Sequence, residues 1–375
     1  MLEFLNLKPE VFGLDISDLS LKIAKLKKRG KALTLSSFGE EEIRPGIIKE
    51  GEIQDENELS KIIKEGLKKV KGEKLKTKYV IASLPEEKAF LQVIQMPKMS
   101  DDDLKSAIIY EAENYIPLPV EDVYLDSQII NPIRNHLDHF DVLLAALPRK
   151  TIDPYLASLK KAGLQPIALE IESMAISQAL IKNETTNYPI LLIDLGANRT
   201  SLVVFVGHSL RFTSSISISS KSFTEIISKT LGISLTEAER LKIEYGLGEE
   251  IKIKLRKDTF ERVTERGKIF EALVPALVDL IQQIKKYLNY YQIHASHEHL
   301  LSSSTGVSKI LLCGGGANLK GLPELLSLEL KIPVELGNPW INILPEGRKE
   351  TKGLSFEKSL SFTTALGLAL EGIKK

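Results

Sequence analysis

Val11-Phe12-Gly13-Leu14-Asp15-Ile16-Ser17 is an apolar run closing on a carboxylate, and Ile190-Leu191-Leu192-Ile193-Asp194-Leu195-Gly196 repeats it far downstream. A turn and a second apolar, β-branched run follow each copy: Leu21 to Leu26 in the first, Ser201 to Val206 in the second. Runs of this composition joined by short turns read as hairpins. A third strand is expected in each copy, Ala32 to Phe38 and Ser214 to Ile218, and then a helix. Ile62, Ile63, Leu67 and Val70 keep helical spacing in the first copy, as do Phe223, Ile226 and Ile227 in the second. The repeated order predicts an α/β chain of two duplicated lobes with a hinge between them.

Each lobe carries an insertion. From about Glu87 to Leu169 a second α/β pattern intervenes: strand Phe90 to Met96, helix Asp101 to Tyr115, strands Asp122 to Ile130 and Phe140 to Leu147, and helix Thr151 to Ala162. Asp101 to Asp103 suit a helix start, where carboxylates oppose the positive end of the helix dipole. In the second half, Thr236 to about His299 reads as mostly helical, and Ile269, Leu273, Leu277, Ile281, Ile284 and Leu288 form one apolar stripe. The expected division is therefore 1–87 with 169–188 as the first lobe and 88–168 as its α/β insertion. The second lobe is 189–235 with 300–375, and 236–299 is its helical insertion.

Composition sets limits on function. At 375 residues, 43% hydrophobic and 27% charged, the chain has the make-up of a multidomain globular protein. Fifty basic residues balance fifty acidic ones, which argues against nucleic acid as the main partner. The single Cys313 cannot form an internal disulfide, as suits a reducing cytoplasm. No apolar run approaches the ~20 residues of a membrane span. The opening segment has no secretory signature, and Phe4, Leu5 and Leu7 are expected to dock on their own domain.

Three further segments carry chemistry. Leu235 to Glu244 is a charged helix whose Glu239 and Lys242, three residues apart, share one face and can reach one ligand; such pairs also decorate ordinary solvated helices. Ile310 to Pro323 runs a strand into Gly314, Gly315 and Gly316, where the backbone can turn at positive φ and approach a phosphate or a purine. The same triplet would serve as a plain strand-to-helix turn. Asp15 and Asp194 end equivalent strands, a position that suits a carboxylate holding Mg²⁺ through water, with Lys22 and Thr200 in reach of phosphate oxygens. A single such Asp would be read as a turn cap. His294, His297 and His299 cluster without a nearby Cys and read as a solvated helix end rather than a zinc site.

With these segments in place, the chain resembles the actin-like (ribonuclease H-like) ATPase superfamily over essentially its whole length. Within that superfamily it looks most like the PilM family of type IV pilus assembly proteins, and next like the FtsA cell-division family. Gly13 to Lys22 matches the first phosphate loop, Asp194 to Thr200 the second, Thr236 to Lys242 the ribose helix and Cys313 to Gly321 the adenosine loop. Ala365-Leu366-Gly367-Leu368-Ala369 matches a connecting helix. Pro97 to Ser100 followed by Glu111 to Pro119 is similar to the pilus family's inserted subdomain, in the position shared with the FtsA type.

The resemblance implies two lobes around a cleft that binds ATP and Mg²⁺. Asp15, Ser17, Lys22, Gly196, Asn198 and Thr200 would face the phosphates, and Glu239, Lys242, Gly314, Gly315, Gly316 and Asn318 the nucleoside. Asp15 and Asp194 would hold the metal through water, with Glu172 a weak candidate for orienting a water. Relatives carry Asp-x-Gly in the first loop and often Gly-Gly in the second lobe, where this chain has Asp15-Ile16-Ser17-Asp18 and Ser219-Ser220. Those departures imply ATP binding with at most slow hydrolysis.

The implied role is a cytoplasmic scaffold of the pilus and twitching-motility machinery. It would sit peripherally at the inner membrane through the N-terminal tail of a PilN-like membrane protein and other pilus assembly proteins, with no span of its own. Self-association stays open. The alternatives are a small-molecule kinase of the superfamily, for which Glu170 or Glu172 would have to serve an acceptor hydroxyl, and an FtsA-like filament former. The chain's close at Gly372 to Lys375, directly after the connecting helix, argues against the FtsA-type membrane anchor.

Overall fold

The computed structural model describes residues 9–30, 32–130, 138–248, 265–294 and 306–374. Phe4, Leu5, Leu7, His297 and His299, and the part of the expected helical insertion at 249–264 and 295–299, lie outside the described residues. The chain divides into two compact units. Unit 1 gathers Met1–Thr186, Val206–Arg211 and Asn338–Lys375, and unit 2 gathers Asn187–Phe205 and Phe212–Gly337.

Unit 1 begins with strands β1 (Phe12–Ile16), β2 (Ser20–Arg29) and β3 (Ala32–Glu42) and the two-residue strands β4 (Ile48–Lys49) and β5 (Glu52–Ile53). Helix α1 (Glu56–Lys68), the edge strand β6 (Lys71–Gly72) and β7 (Tyr79–Leu84) follow. The inserted subdomain contributes β8 (Phe90–Pro97), α2 (Asp101–Tyr115), β9 (Val123–Ile130) and β10 (His139–Pro148). Helix α3 (Arg149–Lys161), β11 (Gln165–Ile171) and α4 (Glu172–Leu180) complete this stretch.

Six strands form the main sheet in the order β11-β7-β1-β2-β3-β6. β1 is antiparallel to β2 and parallel to β7, which is parallel to β11. All five β1 residues are buried, as befits a strand covered on both faces. Asp55 caps α1 by accepting the amides of Asn57 and Glu58, which turns Leu59, Ile62 and Ile63 onto the sheet. The insertion has its own antiparallel sheet, β8-β10-β9, under Leu104, Ile108 and Ala112 of α2. Helix α3, assigned to the insertion from its sequence, instead sends Ile152, Tyr155 and Leu159 into the core of the main sheet. Glu170 lies on β11 rather than on the helix that Glu172 opens.

Unit 2 contains β12 (Thr186–Leu195), β13 (Thr200–Gly207), β14 (Ser209–Ile216), α5 (Ser220–Leu231), α6 (Leu235–Tyr245), α7 (Glu265–His294), β15 (Lys309–Cys313), α8 (Leu322–Leu330) and β16 (Val334–Leu336). Its sheet order is β14-β13-β12-β15-β16, with β15 parallel to both neighbours. That is the order β3-β2-β1-β7-β11 over again, so the repeated strand-Asp pattern is a repeated topology. β14 starts earlier than expected because Gly207, at φ +69, lets the chain reverse within a residue of β13. The predicted stripe of α7 is buried at Ile269, Leu273, Leu277, Ile281 and Ile284.

Residues 338–375, grouped with the second lobe on sequence grounds, pack in unit 1. They carry α9 (Phe356–Leu360) and α10 (Thr363–Lys374). The small residues of α10 explain the placement. A Cβ on Gly367 would lie 1.9 Å from the Ala175 carbonyl oxygen of α4, and one on Gly13 would lie 2.4 Å from the Ala365 carbonyl oxygen. Because backbone atoms form both walls, neither side can give way by changing a rotamer. Gly367→Ala should therefore destabilise the protein by about 2 kcal/mol or more. A urea unfolding curve checks this, and an unchanged midpoint would contradict the packing.

Candidate functional site

In unit 2, three segments distant in sequence close into one ring of contacts. β15 runs parallel to β12 with Cys313 beside Asp194, which delivers Gly314 to the end of β12. Gly314 has φ +82, and a Cβ there would sit 2.1 Å from Asp194 Oδ1 and 2.6 Å from the Leu195 carbonyl oxygen. A Cβ on Gly316 would likewise strike the Leu195 side chain at 2.5 Å. The turn after β12 is closed by Gly196 N–H donating to the Arg199 carbonyl at 2.9 Å. It then reaches α5, where the amides of Ser220 and Lys221 donate to the carbonyls of Gly196 and Ala197 at 3.0 and 3.1 Å. Thr200 is fully buried and its hydroxyl donates to the Ile218 carbonyl at 2.7 Å. Asn198 sits in this same turn.

Helix α6 closes the ring. Glu239 and Lys242 do meet, at 2.7 Å, but the Lys242 ammonium is buried and turned onto α5. It donates to the Ser220 carbonyl and hydroxyl at 2.9 Å each and to the Thr224 hydroxyl at 2.8 Å. The Thr224 hydroxyl in turn donates to Glu239. Burial pulls the Lys242 pKa below the usual lysine value, with the Glu239 contact working against that shift. Lys242 is thus a strut between two helices, while the Glu239 side chain stays 45% exposed. At the far end of α6, Gly246 at φ +59 packs on Lys320, whose ammonium donates to the Glu244 carbonyl at 2.7 Å. Gly315 to Asn318 form a 3₁₀ turn in which the Asn318 amide donates to the Gly315 carbonyl at 3.3 Å.

In unit 1, Asp15 and Lys22 face each other across the β1–β2 pair, and both are buried. The Ser83 hydroxyl on β7 accepts the Ile16 amide at 2.8 Å and donates to Asp15 Oδ1 at 3.1 Å. Burial pushes the Asp15 carboxyl above its ordinary value, with Lys22 and the Ser83 bond opposing. Ser17 closes the turn: its amide and hydroxyl donate to the Ser20 carbonyl at 2.9 and 3.1 Å. Lys22 Nζ donates to Ser20 Oγ at 2.6 Å.

Asp18 has a local partner as well, accepting the amides of Glu50 and Gly51 at 3.1 and 3.0 Å. Those two residues have φ +51 and +74 and are held again by the Tyr155 hydroxyl, which donates to the Gly51 carbonyl at 3.1 Å. Tyr155 is raised well above the usual tyrosine pKa, first by burial and then by Glu172, Glu87, Asp18 and Asp15, so four carboxylates lie within its electrostatic reach. Glu172 accepts the Glu86 amide at 3.4 Å, and Glu86 accepts the Ser173 amide at 3.2 Å, a reciprocal cap where α4 begins.

Sequence reasoning passed over Ser83, Glu86 and Thr224, and noted Ser220 only as standing where relatives often have glycine. Ser83 had a signal, since it closes the apolar run Tyr79–Leu84 that pairs with β1. Glu86 and Thr224 become visible only through the contacts they make. Among the described residues, no group of three or more His, Cys, Asp or Glu side chains is arranged to hold a metal ion directly.

Comparison with known proteins adds a second line of observation. A family model described as Type IV pilus assembly protein PilM matches residues 13–373. The chain is similar to a solved PilM-PilN type IV pilus biogenesis complex, at 29% identity and a TM-score of 0.78, covering 98% of this chain and 100% of the other. MreB5 of Spiroplasma citri bound to ADP shares the fold at a TM-score of 0.52 and 14% identity, over 94% of each chain. These likenesses identify an actin-like ATPase fold. FtsA of Pseudomonas aeruginosa is 24% identical over 226 residues, 58% of this chain and 50% of that protein. FtsA of Neisseria meningitidis serogroup B is 26% identical over 219 residues, 56% and 49% of the two chains. The chain thus spans about half the length of these relatives. No described helix is long and apolar enough to cross a membrane.

Two outcomes follow from the geometry. Lys242→Met should keep most of the packing but remove the ammonium that the Ser220, Thr224 and Glu239 oxygens accept from, lowering stability by about 1–3 kcal/mol in urea unfolding; a neutral effect would refute the strut. Asp15→Asn should stabilise the ligand-free protein at pH 7. The folded-state pKa of Asp15 lies above its ordinary 3.8, so ionisation disfavours the fold, and that penalty grows as pH rises from 3.8 through the folded value. The advantage of Asn should therefore vanish on acidification to about pH 3.8. An advantage that instead widened at low pH in thermal melts would reverse the sign.

Proposed function

Since the chain belongs to the family of the type IV pilus assembly protein PilM, we propose that it is an ATP-binding scaffold of the pilus assembly platform. It engages the cytoplasmic N-terminal tail of a PilN-like inner-membrane protein, is held peripherally at that membrane by this and other pilus proteins, and turns ATP over slowly or not at all. The observation that carries the reading is the whole-chain likeness to the PilM-PilN complex. The partner is brought to this chain by that likeness.

The nucleotide follows from the residues themselves. Gly314 and Gly316 pack on Asp194 and Leu195 where a Cβ would stand, which leaves bare backbone in the loop, and bare backbone suits close approach of a purine or a phosphate. The exposed part of Glu239 is the acceptor offered to a ribose hydroxyl, and Lys242 acts behind it as a positioning residue. Gly315 and Asn318 line the same loop. Gly196, Asn198 and Thr200 would shape one phosphate loop, and Ser17 and Lys22 the other.

Asp15 and Asp194 offer oxygen donors alone, the set that suits a hydrated Mg²⁺ held through water. When bound, that ion would neutralise phosphate charge. Glu172 is tied to the Glu86 amide at the start of α4, so as a water-orienting group it is already engaged. Ser17, where relatives carry glycine, has both its amide and its hydroxyl bound to Ser20. Both features support a holding role over rapid turnover.

Isothermal titration tests the proposal. MgATP should bind, and Glu239→Ala should weaken it about tenfold or more, the worth of a charged hydrogen bond. A synthetic peptide of the PilN-like tail should bind the same protein. Unchanged ATP affinity in the variant would remove Glu239 from the site, and failure of the peptide to bind would remove the partner. Phosphate transfer to a small acceptor at on the order of 1 per second or faster would favour the kinase reading instead.

A further inference from the structure

The main sheet of unit 1 has two chemically opposite ends. Asp15, Ser17 and Asp18 lie where β1 stops, and the register of the sheet places a concentration of positive charge at the other end. β2 is antiparallel to β1, so its last residues, Lys27, Lys28 and Arg29, sit where β1 starts, opposite Ala32 to Thr34 of β3. β6 pairs antiparallel to β3, Gly72 beside Ser37, so the chain after it travels toward the same end. The Glu73 amide donates to the Ser36 carbonyl at 2.8 Å, and the Thr77 hydroxyl donates to the Glu10 carbonyl at 2.6 Å, just before β1. Lys74, Lys76 and Lys78 are carried along this rim, and all six basic side chains are exposed.

Among the described residues, one carboxylate pairs with two of the six cations, and a second stands beside them on Lys25. Glu73 pairs with Lys27 at 3.1 Å and Arg29 at 3.9 Å, and Glu10 pairs with Lys25 at 2.5 Å. Lys25, Lys27 and Lys76 all hold the Glu10 carboxyl below its usual pKa, which puts charges from β2 and from the 73–78 segment within reach of one group. The acidic residues of β3, Glu40, Glu41 and Glu42, lie opposite Lys22, Leu21 and Ser20, at the far end of the strand pair. The sequence tells the same story: Lys64 to Lys78 holds seven lysines and two glutamates within a chain whose net charge is zero. Lysines on an edge also keep a sheet from pairing with another, but Lys27, Lys28 and Arg29 stand on the interior strand β2, and Lys74, Lys76 and Lys78 on the segment that leads to the interior strand β7, rather than on β3 or β6.

We propose that this rim is a docking face for an anionic membrane surface. Its chemistry favours lipid headgroups over other polyanions. Five of the six rim cations are lysines, flexible point charges that suit a diffuse field, whereas base or phosphate recognition favours the planar Arg fork and aromatic stacking. The aromatic that flanks the rim, Tyr79, has the Lys78 ammonium over its ring at 5.7 Å. Clusters of four to eight basic residues beside a membrane read as anionic-lipid contacts, each contributing about a fivefold gain in binding. The inference stands independently of the nucleotide and tail assignments.

Co-sedimentation of the full chain with vesicles tests it. The protein should bind phosphatidylglycerol-containing vesicles at low salt, release them at high salt, and ignore vesicles of phosphatidylcholine alone. Lys74→Glu, Lys76→Glu and Lys78→Glu together should lower that binding about 100-fold or more. Melting temperature and affinity for the PilN-like tail peptide should not change, so a failure here is distinct from a failure of the scaffold reading. Lys98→Glu with Lys105→Glu, on the inserted subdomain, should leave vesicle binding intact. Equal binding to both vesicle types, no loss in the rim variant, or the same loss in the control pair would overturn the proposal. So would salt-sensitive binding to duplex DNA with none to the vesicles.

Discussion

A carboxylate at the end of a buried strand must be accommodated by the parallel strand beside it. Both units of this chain meet that constraint, each with a different small residue. In unit 1, β7 presents Ser83, whose hydroxyl donates to Asp15 and accepts the amide that follows it. In unit 2, β15 presents Gly314, which accommodates Asp194 by having no side chain. The consequences spread outward from these two contacts. Gly314 fixes where the glycine loop lies, the loop fixes Lys320, and Lys320 fixes the end of α6. Lys242 then binds α6 to α5, and the amides of α5 return to the turn after Asp194. A single substitution at Gly314 would strain every contact in that circuit.

The duplicated strand-Asp pattern was legible because hydrophobic runs ending in a charge are rare, and because the same topology had to be written twice. Helix α2 was legible to the residue, since Ser100 caps it and polar residues bound its stripe. What escaped had physical causes. Spacing places Glu239 and Lys242 on one helix face, but only packing shows that the ammonium turns inward to Ser220 and Thr224. Asp18 stood in the sequence only as part of a departing loop, whereas it accepts two amides from a turn 32 residues or more away, a contact no local pattern encodes. The return of 338–375 to unit 1 was hidden for a related reason. Gly367 and Ala365 announce close approach, but not to which partner.

The same residues that shape the candidate site weaken the fold locally. Burial works against ionisation of Asp15, and Glu50 is held at positive φ, where a side chain is disfavoured. Asp18 and Tyr155 hold the Glu50–Gly51 turn from opposite sides, which lets that conformation persist. Strain and buried charge gathered at one end of a sheet are what a ligand-binding edge looks like. A cation there would relieve the burial penalty of Asp15, so ligand and fold would stabilise each other.

A net charge of zero conceals how that charge is arranged. At the end of β1 stand Asp15, Asp18, Glu87 and Glu172, close enough to act together on Tyr155. At its start stand Lys27, Lys28 and Arg29 with the lysines of the 73–78 segment. Summation over the sequence cancels the two and excludes polyanionic partners; resolution along one sheet restores them. The separation also has a use. A surface that attracts anionic headgroups would lose that attraction if it lay beside these carboxylates. Placing the two at opposite ends of rigid, fully hydrogen-bonded strands lets each keep its own field, because the screening length of about 8 Å at physiological salt is short against a strand's length.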